Sequence, residues 1–86
     1  MKFSVKIETV RELLDAAGVP VVALAKRLGL GESITSLKVR HVRPFYADEI
    51  GAVVGAVNDA GRMDVTEDKV VRLVGKKNIM LRGYLG

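Results

Sequence analysis

Five cations, Lys26, Arg27, Lys38, Arg40 and Arg43, fall within residues 26–43, where Glu32 is the only acid. Ser33, Thr35, Ser36 and His41 are interleaved with them. Ammonium and guanidinium groups at this density suit a polyanion, whose charges they neutralise and whose counterions they release. The plainer reading is a charged face in contact with water. Charge over the rest of the chain bears on the choice. Residues 1–25 balance to zero, 26–43 carry +4, 44–68 carry −5 and 69–86 carry +5, giving the net +4 of the whole chain. Segregation of this kind favours a polyanionic partner over random scatter.

Other chemistries find little support. The chain has no Cys, so disulfides and thiolate metal sites are excluded. A reducing compartment fits that composition. A single His41 makes no metal site by itself. No Ser–His–Asp set stands at a nucleophile turn, and "GLGES" lacks the Gly-Lys-Ser/Thr of a phosphate loop. The adjacent pairs Asp48–Glu49 and Glu67–Asp68 read as helix-start residues before they read as acid–base pairs. His41, between Arg40 and Arg43, reads as a phosphate contact or an exposed loop position. The expectation is a protein that is not an enzyme and needs no cofactor. No apolar run reaches the roughly 18 residues of a membrane span, and no leader peptide is read at the start.

The elements that must carry these residues follow from pattern. With 86 residues and 49% hydrophobic content, the chain suits one small domain with a Val, Leu, Ile and Ala core. So small a core leaves a narrow stability margin, which a dimer interface would widen. "KFSVKIE" alternates with period two and predicts a short N-terminal strand or a frayed lead-in. Thr9 with Glu12 predicts a capping box, followed by a helix burying Val10, Leu13, Leu14 and Ala17 and stopping at Gly18. Pro20 opens a second helix with Val21, Leu24, Ala25 and Leu28 on one face and Gly29 at its end. Ser33 is placed as the cap of a third helix. There Ile34 and Leu37 point inward, and Thr35, Ser36, Lys38 and Arg40 point mostly outward. "LKVRHVR" also alternates enough to compete as a strand. "ADEIGAVVGAVNDAG" predicts a fourth helix with Ile50, Val53, Val54 and Val57 buried, Asp48 and Glu49 at its positive end, and small residues that allow close approach. In the tail, "KVVRLV", "GKKN" and "IMLRGYL" predict a β-hairpin, with a fifth helix capped by Thr66 as the alternative.

In this order and spacing, residues 10–60 resemble the helix-turn-helix domain of the Cro and phage-repressor family. "VVALAKRLGL" is similar to that family's second helix. Ile34 and Leu37 match the inward positions of its recognition helix, and "RPFYADEIGAVVGAVN" resembles the segment that follows. Two departures stand out. The turn before the third helix reads one residue short, and the next loop one residue long. Val21 or Val22 also stands where the family often has a phosphate-fixing Gln. The resemblance implies a mostly α domain of four to five helices with a small β element. It is one domain over 1–86, with a core at 9–61 and a C-terminal extension, 62–86, that serves dimerisation. A strand at the start and a hairpin at the end would be similar to small Cro proteins that dimerise through a sheet.

A helix in the major groove reads base edges with short polar side chains and with Lys or Arg. On this resemblance Ser33, Thr35, Ser36 and Lys38 are the base-reading candidates. Lys26, Arg27, Arg40, His41 and Arg43 are the phosphate candidates, and Lys76 and Lys77 either touch the DNA backbone or decorate a turn. The plain alternative for each Ser or Thr is capping or helix solvation. The implied function is a sequence-specific regulator of phage or bacterial type, acting on double-stranded DNA in the bacterial cytoplasm as a homodimer that occupies an operator. No small-molecule ligand is evident. The alternative is a protein-interaction module, an inhibitor or antitoxin-like adaptor, using the acidic middle or the apolar tail. A phage structural subunit is a third reading.

Overall fold

The computed structural model describes residues 7–81. Its first helix, α1 (Val10–Ala17), begins where the sequence says it should. The Thr9 hydroxyl accepts the Glu12 N–H at 3.1 Å, and the Glu12 carboxylate accepts the Glu8 and Thr9 N–H groups at 2.8 and 3.0 Å. Those bonds, from Glu8 first and then Thr9, hold the Glu12 carboxyl below its ordinary range despite a smaller opposing cost of desolvation. Val10, Leu13, Leu14 and Ala17 are buried and Gly18 closes the helix.

Four more helices follow: α2 (Val21–Leu28), α3 (Glu32–Val39), α4 (Ala47–Asp59) and α5 (Glu67–Val74). Pro20 occupies the N-cap of α2, and Gly29 closes it in the left-handed region at φ 71°. Only Gly29, Leu30 and Gly31 separate α2 from α3, a turn length typical of helix-turn-helix pairs. Two short strands, β1 (Phe45–Tyr46) and β2 (Ile79–Met80), pair in parallel with Phe45 opposite Ile79 and Tyr46 opposite Met80. The domain is mostly α with a small β element, as the sequence implied.

α4 is the centre of the packing and touches α1, α2, α5 and β1. Ile50, Val53, Ala56 and Val57 of α4 meet Leu13, Leu14, Leu24, Val39, Phe45 and Val70 in one core cluster. Val54 packs at its edge. Gly55 has a local purpose. A Cβ there would sit 2.7 Å from an Arg27 guanidinium nitrogen. The bare position lets Arg27 cross α4 and pair with Asp59. At Gly55 the room is taken up by a side chain.

Three expectations are corrected. "KVVRLV" is a helix and not a hairpin strand. Thr66 caps α5 by accepting the Lys69 N–H at 3.3 Å, with Glu67 and Asp68 in the first turn. Val70 and Val74, one turn apart, fill the space beside α1 and α4. "GKKN" is a 3-10 turn over Lys76–Asn78 that leads into β2. The core also does not stop at residue 61, because Val65, Val70 and Val74 belong to it and Ile79 packs against it. Residues 62–81 complete the domain they were expected merely to extend. Asn58 ties the two parts together: its side chain donates to the Val65 carbonyl at 3.0 Å and accepts the Val65 N–H at 2.7 Å. The N-terminal strand falls mainly on residues 1–6, outside the described residues, and Ile7 and Glu8 are not in a strand.

Candidate nucleic-acid interface

The facing of α3 decides what the charged stretch can do. Gly31, not Ser33, is its N-cap, and the helix starts at Glu32. Thr35, Lys38 and Val39 are therefore the buried residues. Ile34 and Leu37, expected to point inward, are only partly buried and lie outside the core cluster. The frame read from the sequence is one residue out.

Two base-reading candidates thereby lose access. The Thr35 side chain is fully buried, and its hydroxyl donates back to the Gly31 carbonyl at 2.9 Å. This satisfies a polar group that has no water to turn to. Lys38 is 5% exposed, and its Nζ donates to Glu49 at 2.6 Å. The ammonium also lies 4.8 Å from the Tyr46 ring centre and 6.0 Å from that of Phe45, within reach of cation–π attraction. Glu49 is 4% exposed and accepts the Tyr46 N–H at 2.9 Å, so one carboxylate serves the start of α4 and neutralises a buried lysine. Lys38 holds α3 onto α4 and cannot reach a base edge. The other two candidates remain outward: Ser33 is exposed and Ser36 partly so. They share an open, shallow surface with Glu32, Leu37 and Arg40. Glu32 and Leu37 were not expected there.

The phosphate candidates divide in the same way. Lys26, Arg40 and Arg43 are exposed and make no ion pair among the described residues. Arg27 is exposed but held by Asp59. His41 serves the fold. Its Nε2 accepts the Val10 N–H at 3.2 Å, capping the start of α1 from across the chain. An accepting Nε2 carries no proton, and burial pushes the imidazole pKa below its ordinary 6.5. The backbone adopts φ 63° to reach that position, in the left-handed region that His enters more readily than most residues. His41 is therefore a neutral cap and not a phosphate-binding cation. Lys76 and Lys77 are exposed on the 3-10 turn.

One signal in the sequence marked the true frame. Gly29 and Gly31 bracket a three-residue turn and place the helix start at Glu32; Ser33 is a better capping residue by type and drew the boundary late. Among the described residues no His, Cys, Asp and Glu cluster suits a metal ion, and no helix is long and apolar enough to cross a membrane. No family model, curated protein or solved structure matches the chain.

Proposed function

We propose that this chain is a sequence-specific double-stranded DNA-binding regulator of the Cro and phage-repressor type. It acts as a homodimer in the cytoplasm of a bacterial host and works by occupying an operator. The observation that carries the reading is the pair α2 and α3, joined by three residues, with α3 turning Glu32, Ser33, Ser36, Leu37 and Arg40 outward. Arg40 lines that surface, and Lys26 near the end of α2 and Arg43 in the loop after α3 are further exposed cations without an ion pair among the described residues. Ser33 and Ser36 then read bases, Glu32 suits a cytosine amino group, and the three cations contact phosphates. Two subunits would engage half-sites about one helical turn apart.

The test is fluorescence anisotropy of a labelled duplex titrated at several salt concentrations. Three phosphate contacts in each of two subunits give a slope of log K against log salt of about −5. Absence of binding at low salt refutes the reading. The alternative, a protein-interaction module, is favoured by Met80 and Leu81, which are 51% and 71% exposed beside β1 and β2. It predicts no salt-dependent DNA binding and loss of a protein complex when both residues become Ser.

A further inference from the structure

Leu37 stands on the outward face of α3 among groups that hydrogen-bond, with Ser33 one turn before it and Arg40 three residues after. It is partly exposed and contributes nothing to the core cluster, unlike the partly buried Leu28 and Val54 that pack against it. Its position is nonetheless fixed. Its backbone carbonyl accepts the Val42 N–H at 2.9 Å and the Arg43 N–H at 3.3 Å, so the loop that carries Arg43 closes on this residue. The fold thus presents one branched apolar side chain on a polar face and gives it no partner inside the core. In the major groove, the apolar group displayed on base edges is the 5-methyl of thymine.

We infer that Leu37 is a specificity-determining residue that selects thymine by packing on its 5-methyl group. The inference rests on the DNA-binding reading and deepens it. Ser33, Ser36 and Glu32 discriminate by hydrogen bonds, whereas Leu37 discriminates by apolar contact that a cytosine or purine edge does not return. The interaction leaves the hydrogen-bonding atoms of the base pair untouched, which makes it separable by experiment.

A preferred duplex is first selected from a randomised pool with the intact protein. Each thymine is then replaced singly by deoxyuridine, which removes the methyl group alone. At one position per half-site the intact protein binds about fourfold more weakly, as expected for one methyl group returned to water. Leu37→Ala, verified as folded by circular dichroism, binds the thymine and uracil duplexes equally at that position. Indifference of the intact protein to every replacement overturns the inference, as does a Leu37→Ala variant that still discriminates. Salt-dependent binding without any preferred sequence overturns it together with the sequence-specific part of the proposed function, while DNA binding itself stands. Failure to bind any duplex at low salt overturns both.

Discussion

Replacing Lys38 by Met removes an ammonium and keeps most of the side chain's bulk. In the folded protein Lys38 and Glu49 are buried together, Nζ to Oε1 at 2.6 Å. Lys38→Met leaves a carboxylate inside the protein with the Tyr46 N–H among its remaining partners. Removing one member of a buried pair costs about 3–5 kcal/mol. The retained hydrogen bond and the modest size of the domain point to the lower end, about 3 kcal/mol. A chain of 86 residues has a total stability on the order of 4–13 kcal/mol. The variant should therefore melt roughly 12–24 °C lower. Lys38→Met with Glu49→Gln tells more. Gln still accepts the Tyr46 N–H and no charge is left uncompensated, so the double variant should lie within about 1 kcal/mol of the parent. Urea unfolding followed at 222 nm for the parent, both single variants and the double variant gives the coupling energy directly. A Lys38→Met variant within about 0.5 kcal/mol of the parent would refute the buried pair. So would a double variant that falls by the sum of the two singles. The same proteins also test the facing of α3: the double variant should keep the parent's sequence preference on DNA. A changed preference would return Lys38 to the base-reading set.

Other outcomes follow from neighbouring observations. Arg40→Ala and Arg43→Ala should each weaken binding to all duplexes alike and reduce the salt slope by about two, one contact being lost from each of two subunits, whereas Arg27→Ala, whose guanidinium is held by Asp59, should change it little. His41 gives a pH dependence of stability. Its folded pKa is lowered, so below about pH 6.5 the unfolded chain binds more protons than the folded one, and stability falls as pH drops through that value toward the folded pKa. Urea midpoints between pH 8 and 5.5 should show this fall, and His41→Asn, which tolerates the left-handed backbone, should lack it. Asn58→Ala removes both hydrogen bonds to Val65 and should cost about 2–3 kcal/mol by the same unfolding assay. Gly55→Ala should displace the flexible end of Arg27 at a cost of under about 1 kcal/mol. It gains up to about 1 kcal/mol of helix propensity, so the melting temperature should hold or rise slightly.

Local chemistry was enough to determine α1, α2 and α4 from the sequence. A Thr9–Glu12 capping box, glycines at positions 18 and 29, and two acids at the start of α4 act within a turn or two of chain, and the folded protein keeps them. A small β element was expected, but not this one: no strand was read at Phe45–Tyr46, because its parallel pairing with Ile79–Met80 joins segments on either side of α4 and α5. The form of the tail was open for a related reason. Val70, Val71, Leu73 and Val74 satisfy a strand or a helix by residue type, and the space beside α1 and α4 selected the helix, in which Val70 and Val74 align. The candidate interface was legible as a stretch but not as a face. Lys38 alone reads as a surface residue, because burying an ammonium is costly. Glu49, eleven residues away at the start of α4, removes that cost, and only the folded chain brings the two together. Once Lys38 and Thr35 turn inward, the helix must turn Glu32, Ser33, Ser36, Leu37 and Arg40 outward. Composition and caps determined that α1, α2 and α4 are helical and where the cations lie along the chain; the tertiary structure decided the form of the tail, and the contact between α3 and α4 decided which of those side chains any partner can touch.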